Sequence, residues 1–323
     1  MTPTFELRRL GQSNSYWSPI GLGTWQFSQG RGLIGKFWPT LSQTQITAVV
    51  QVGLESGINW FHTAEAYGHG QSEQALALAL DALHVEFDQA AIATKWWPLL
   101  RTSHHLQRSI GQRLRALQER PITLYQIHQP FSRSSIESQM RAMAWLRDQG
   151  LIQEIGVSNF TTTQMVQAHR TLKTFGYSLT SNQVHCNLLR RGIENNRMLD
   201  QAKDLGISLI AYSPLAQGLL TGKFHRGNPR PQGFRRWSPM FRPQVLKRTA
   251  ALISAMQTLA DKYAVEVSQI ALNWVINVAG DTMFAIPRAT SPEQAMGNSR
   301  AMGWALTRSE WEWLGQLSSK TNQ

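Results

Sequence analysis

The chain has 323 residues, 42% of them hydrophobic, with 12 Trp and 12 Phe, which excludes a disordered polymer and is enough for one large α/β barrel, commonly about 250 residues or more. No run approaches the roughly 20 apolar residues of a membrane span, the start MTPTFELRRL holds no secretory apolar stretch, and the single cysteine, Cys186, rules out an internal disulfide, so a cytoplasmic protein without a membrane partner is expected. The formal charge of +12 makes nucleic acid or an anionic ligand a first expectation, yet Lys223, Arg226, Arg230, Arg235, Arg236, Arg242, Lys247 and Arg248 share one acid-free stretch that leaves only +4 for the rest.

Residues 5 to 17 read as a short hairpin turned at Gly11-Gln12-Ser13. Eight apolar strands follow, at 19–23, 59–64, 91–96, 123–128, 155–158, 181–187, 208–213 and 282–287, with helical stretches at 42–56, 71–84, 103–119, 134–149, 161–174, 194–205, 246–262, 266–278, 291–302 and 307–317. Buried parallel strands read as nearly continuous apolar runs, and their alternation with helices argues for a parallel sheet. Four helix starts show Ser or Thr followed three positions later by Glu or Gln, a pairing that satisfies orphan amides reciprocally: Ser42 with Gln45, Ser134 with Glu137, Thr161 with Gln164, and Thr307 with Glu310. Ser291 before Pro292 marks a fifth, with proline where its missing amide costs nothing. No G-x-G-x-x-G opens a helix after the first strand, so a doubly wound sheet is not expected. The fold class predicted is α/β: an eight-stranded parallel (β/α)8 TIM barrel with an N-terminal hairpin and a long basic loop, Lys223 to Arg248, after strand seven. Residues 1–323 are expected to form a single domain. The prolines and glycines between Gly227 and Pro243 mark that loop.

In such a barrel the chemistry sits where strands run into their following loops. Strand two breaks from Ile58-Asn-Trp-Phe61 into His62, Glu65 and Tyr67; strand three ends Thr94-Lys95-Trp96; strand four ends Gln126-Ile127-His128. A phenol beside a buried lysine and a histidine suits carbonyl reduction: the phenol protonates a developing alkoxide, the lysine lowers the phenol's pKa, and the imidazole orients the carbonyl oxygen. Each residue alone more often has a packing or solvent-facing role; the three on successive strand ends are far more specific. Trp25, Trp96, Trp97 and Phe131 are candidates for an aromatic-rich pocket, and no metal site is expected.

At this point the chain resembles the aldo-keto reductase family. The likeness is carried by Gly21-Leu-Gly-Thr-Trp25, Phe61-His-Thr-Ala-Glu-Ala-Tyr-Gly68 with Ser72-Glu73, Ala93-Thr-Lys95, Leu124-Tyr-Gln-Ile-His128, Gly156-Val-Ser-Asn-Phe160, Asn182-Gln183, Ala211-Tyr-Ser-Pro-Leu215 with Gln217-Gly-Leu219, and Ile286-Pro287, in the family's order and over nearly the whole chain. The resemblance implies Tyr67 as general acid, Lys95 as its tuning residue and His128 as the group that orients the substrate carbonyl. It places Ser158, Asn159 and Gln183 on the nicotinamide carboxamide and the Tyr212 ring on the nicotinamide face, roles that paired amide donors and acceptors and a flat aromatic surface suit. Gly23, Thr24, Trp25, Ser213, Pro214, Leu215, Gln217, Gly218 and Lys223 join them as expected cofactor contacts. Arg288, Thr290 and Ser291 match the stretch that holds an adenosine 2′-phosphate at a helix start, with Gln294 and Asn298 beyond, so NADPH is expected over NADH. The acidic residue usual before that Asn is here Gly297.

The chief departure is His62, which stands where the family pattern has an aspartate paired with the lysine. A neutral imidazole still accepts a hydrogen bond from Lys95, whereas a protonated one repels it, so activity is expected to fall as pH drops. Glu65 is a second candidate for the missing carboxylate. The resemblance implies an NADPH-dependent oxidoreductase that reduces a small-molecule aldehyde or ketone; the alternative is a catalytically weak NADP(H)-binding regulatory protein, like potassium channel beta subunits, in which His62 marks decayed catalysis. Nucleic-acid binding through the basic loop is a third reading, and the expectation is that no nucleic acid is bound. The sequence sets neither the substrate nor the oligomeric state.

Overall fold

A computed structural model of the chain describes residues 5–31, 40–225, 231 and 236–321. Eight parallel strands follow one another around a barrel: β1 (Leu22–Gly23), β2 (Trp60–His62), β3 (Ala91–Trp96), β4 (Leu124–Ile127), β5 (Glu154–Ser158), β6 (Ser181–His185), β7 (Ser208–Tyr212) and β8 (Met283–Ile286). β1 and β8 meet through isolated parallel bridges, Ile20 to Ala285 and Gly23 to Arg288. Three main-chain bonds hold that seam: Gly21 N to Ala285 O at 2.9 Å, Gly23 N to Pro287 O at 3.0 Å and Ala285 N to Pro19 O at 2.9 Å. The expected eight-stranded barrel is therefore observed, with its first strand shorter than the apolar run implied.

Two apolar layers divide the core. The larger lies between the strands and the surrounding helices. The smaller fills one end of the barrel interior and joins Trp60, Ala93, Leu124, Ile210 and Phe284 to Leu10 and Trp17 of the hairpin, whose short strands are Arg8–Arg9 and Tyr16–Trp17. Trp17 stacks on Trp60 at 4.6 Å, with the Phe284 ring edge-on to both, so the hairpin acts as a hydrophobic stopper. Gly21 makes room for it, because a Cβ there would lie 2.2 Å from the Trp60 ring. Above this layer the interior turns polar, beginning with His62, whose ring stands perpendicular over Trp60 at 6.3 Å.

The helices among the described residues are α1 (Gln43–Glu55), α2 (Gln71–Ala82), α3 (Ser103–Ala116), α4 (Ile136–Asp148), α5 (Thr162–Lys173), α6 (Gly192–Asn195), α7 (Met198–Leu205), α8 (Pro243–Tyr263), α9 (Val267–Asn277), α10 (Pro292–Ser299) and α11 (Arg308–Thr321). Reciprocal caps form at Ser42 with Gln45, Thr161 with Gln164 and Thr307 with Glu310. At α4 the cap is Ser135, whose hydroxyl accepts from the Ser138 amide, one residue after the expected Ser134. The stretch expected as one helix over 194–205 is two, because Arg197 adopts a left-handed φ of 62° between them. The basic segment is also shorter as a loop than its prolines suggested. Pro243 takes the first helical position of α8, where its fixed φ is favourable, and Lys247 and Arg248 lie on that helix. Arg226, Arg230 and Arg235 fall outside the described residues. Cys186 is buried and free, and no helix among the described residues is long and apolar enough to cross a membrane.

Candidate active site

The strands' C-terminal ends open into a cavity of about 1210 Å³. Of the expected site residues, Gly23, Thr24, Trp25, His62, Tyr67, His128, Asn159, Gln183, Tyr212, Ser213, Pro214, Leu215, Gln217, Lys223, Arg288, Thr290, Gln294 and Asn298 line it. Lys95, Ser158, Gly218 and Ser291 do not. Lys95 and Ser158 are fully buried behind the lining: Lys95 reaches Tyr67 from below, and the Ser158 hydroxyl accepts from Asn159 Nδ2 at 3.1 Å. Ser291 instead caps α10, its hydroxyl accepting from the Gln294 amide. The cavity also takes in residues the sequence reading passed over, among them Gln129, His185, Glu266 and Ser268.

At the inner wall Lys95 Nζ lies 2.7 Å from Thr63 O, 3.2 Å from Tyr67 Oη and 3.4 Å from His62 Nδ1. His62 Nε2 lies 3.0 Å from Gln126 Oε1. The register sets this up: His62 of β2 pairs with Ala93 of β3, and Lys95, two residues on and facing the same way, pairs with Gln126 of β4. The His128 ring meets Tyr67 edge-on, centroids 5.8 Å apart, and Trp97 in turn meets His128 at 5.0 Å. Trp25 lies nearly parallel to Tyr67 at 6.0 Å. Trp25 and Trp97 thus flank the phenol and the imidazole. Trp96 does not join them: it is fully buried and donates to His105 Nδ1 at 3.2 Å, while Phe131 is not part of the cavity lining and meets Trp97 edge-on at 5.8 Å.

Burial governs the electrostatics. It pushes the Tyr67 phenol above its ordinary value, with Tyr212 adding to the effect, and it holds Lys95 well below the usual lysine range, the Glu73 carboxylate opposing. The expected lowering of the phenol by the lysine is therefore overridden, because removing either group's charged form from water costs more than the pair recovers. His62 lies well below the ordinary imidazole value, through burial first and the Lys95 charge second, with the Gln126 and Gln183 amides offsetting in part. His128 is lowered by burial, Lys95 and His62. Glu65 does not stand in for the absent aspartate, since its carboxylate pairs with Arg101 and not with Lys95. Glu73 is wholly buried, accepting from Thr94 Oγ1 and Arg113 Nη1, each at 2.5 Å.

Farther out, Tyr212 stacks on His185 at 4.8 Å and its hydroxyl donates to Asn159 Oδ1 at 3.0 Å. At the far end of the cavity Thr290 N and Oγ1 both donate to Gln294 Oε1, and Asn298 Nδ2 donates to Arg288 O. Beside Gly297 a carboxylate does appear, supplied by another helix: Glu266, the N-cap of α9, brings Oε2 to 3.8 Å from where a Gly297 Cβ would lie. Its partner Gln269 completes a reciprocal cap there and donates to Gly297 O at 2.9 Å.

Comparison with known proteins agrees with this geometry. The chain matches the Aldo/keto reductase family over residues 19–318. It is 33% identical over 307 residues to pyridoxal reductase, chloroplastic, of Arabidopsis thaliana, an alignment covering 91% of this chain and 81% of that one. Among solved structures, a glycerol dehydrogenase from Gluconobacter oxydans aligns with a TM-score of 0.84 at 27% identity, covering 98% of this chain and 96% of that one. An aldo/keto reductase from Klebsiella pneumoniae, in complex with NADP and acetate, aligns with a TM-score of 0.76 at 26% identity over 97% and 95% of the two chains. With all eight barrel strands inside the matched span, the chain belongs to the aldo/keto reductase family.

Proposed function

We propose that the protein is an NADPH-dependent reductase of aldehydes or ketones, with Tyr67 as proton donor. The observation that carries this reading is the bond from Lys95 Nζ to Tyr67 Oη at 3.2 Å, beside His128 at the wall of a large cavity. The cavity also suits a polar, multi-functional ligand: Gln217 and His128 line it, and their Oε1 and Nδ1 atoms are buried with no hydrogen-bond partner among the described residues, a state that a bound ligand relieves. Arg288 and Thr290 line the cavity just before α10, where an anionic phosphate is favoured, and this supports NADPH over NADH. The Klebsiella relative carries NADP in its complex. NADPH, when bound, supplies the hydride.

The side chains then handle the proton. A phenol whose pKa is raised by burial keeps its proton at neutral pH. Because its oxygen accepts from Lys95, its own O–H is free to turn toward the cavity. As negative charge builds on the substrate oxygen, the proton passes from Tyr67 Oη, and the Lys95 N–H steadies the phenolate left behind. His128, neutral in its buried position, donates a hydrogen bond that orients the carbonyl oxygen. The test is consumption of NADPH, with NADH in parallel, by a reactive aromatic aldehyde. Tyr67→Phe is expected to lower kcat by about a hundredfold or more. A regulatory protein that only binds the cofactor would show NADPH binding without aldehyde-dependent consumption, and either that result or an unimpaired Tyr67→Phe enzyme removes the reductase reading.

A further inference from the structure

Beneath Tyr67, side chains from four strands form one buried hydrogen-bonded row: Lys95 of β3, His62 of β2, Gln126 of β4 and Ser181 of β6, each at most 1% exposed. The row can be read from its far end. Gln126 Nε2 lies 3.2 Å from Val157 O and 3.3 Å from Ser181 Oγ. A main-chain carbonyl only accepts, so the amide nitrogen must face Val157, and the amide oxygen is left facing His62 Nε2 at 3.0 Å. That oxygen carries no hydrogen, so Nε2 must carry one. In a neutral imidazole the lone pair then falls on Nδ1, which is the atom turned toward Lys95 Nζ at 3.4 Å.

The Lys95 end agrees when Nζ is an ammonium, the state that the Glu73 carboxylate favours. An ammonium has three N–H groups and no acceptor, and three atoms surround Nζ within hydrogen-bond reach: Thr63 O, Tyr67 Oη and His62 Nδ1. All three donors are used only if Nδ1 is bare. The other tautomer would set an N–H against the ammonium and a lone pair against the Gln126 oxygen, leaving two buried mismatches in one ring. β5 yields space for the arrangement at Gly156, where a Cβ would stand 2.5 Å from Ser181 Oγ and 2.9 Å from Gln126 Cγ.

We infer that Gln126 is a positioning residue that fixes His62 as its Nε2–H tautomer, so that an uncharged imidazole serves as the acceptor that holds Lys95 against Tyr67. His62 is then a working substitute for a carboxylate rather than a mark of lost activity, an inference that rests on the reductase reading for its catalytic consequence but not for the tautomer itself.

The two parts are read separately. Long-range proton–nitrogen correlation NMR on the nitrogen-15 labelled protein, with His62 assigned by its loss in His62→Asn, is expected to show a neutral ring protonated at Nε2 at neutral pH. Gln126→Leu removes the Gln126 acceptor, leaving Lys95 and the Gln183 amide as the ring's side-chain neighbours, and is expected to admit Nδ1–H into the tautomer mixture. It should also lower kcat for aldehyde reduction by about tenfold while KM for NADPH moves less than about twofold. An imidazolium or an Nδ1–H ring in the natural protein overturns the tautomer, and a Gln126→Leu ring that stays wholly Nε2–H overturns Gln126 as the residue that fixes it. The natural protein's spectrum decides even if Gln126→Leu fails to fold. If the tautomer is as stated but no aldehyde consumes NADPH, the reductase reading fails and the tautomer stands.

Discussion

Tyr67 and His62 lie five residues apart in sequence and are joined in space through one atom, Lys95 Nζ. The sequence was sufficient to place the phenol, the lysine and the imidazole on adjacent strand ends, because the register of a parallel barrel fixes which residues are neighbours. It could not give their ionisation, which depends on burial that only the packed interior reveals. Both His62 and His128 are held well below the ordinary imidazole value by burial, with Lys95 and, for His128, His62 adding to it. The sign of the pH dependence is unchanged from the sequence reading, since protonating His62 removes the acceptor for Lys95, but the position moves. A profile of kcat/KM against pH is expected to show no titration at the ordinary histidine value, about 6.5, with the acid loss displaced to lower pH. A fall near that value would place the titration on Glu73, whose carboxyl burial raises to about 7, or on rings more hydrated than their surroundings imply. The role of Gln126, unlike its place at a strand end, was not legible, because nothing in an apolar strand run announces that an amide will meet a histidine 64 residues away.

Among the elements, the hairpin shows how much work a short segment can do. Its strands have two residues each, yet Trp17 is 1% exposed and stacked on Trp60 in the barrel floor. Trp17→Ala is expected to destabilise the fold by about 3–5 kcal/mol, the range for a large aromatic removed from a core, measured as a shift in the urea midpoint. KM for NADPH should change little, since the cavity lies at the other end of the barrel. Full binding loss in a folded Trp17→Ala protein would mean that the floor and the mouth are mechanically coupled. The caps of α1, α5 and α11 were legible because a reciprocal cap is a local chemical pattern. The break at Arg197 was not, as a single left-handed residue leaves no signature in periodicity. Pro243 misled for a related reason: proline marks loops and helix starts alike, and only the following turns distinguish them.

For the molecule as a whole, eight apolar runs separated by helical stretches dictated the architecture, since a chain that alternates in this way has few other means of burying both faces of its strands. The charge was less informative. Of the basic stretch only Lys223 lines the cavity among the described residues, while Lys247 and Arg248 ride on α8. The carboxylate at Glu266 beside Gly297 was hidden because it is contributed by a helix start remote in sequence. The seam of the barrel has a consequence of its own. Where other neighbouring strands share regular ladders, β1 and β8 are joined by isolated bridges and three main-chain bonds, and the cavity runs along that join, with Gly23 and Thr24 on one bank and Ile286, Pro287 and Arg288 on the other. A molecule lying there is a clasp between the first and last staves of the barrel. Saturation at a hundred times Kd adds about 2.7 kcal/mol to the fold by mass action alone, and hydrogen exchange should record where it acts: the amides of Gly21, Gly23 and Ala285 are expected to slow on adding NADPH more than those of the β3–β4 ladder. Uniform slowing, or none at the seam, would show that the cofactor tightens the barrel elsewhere.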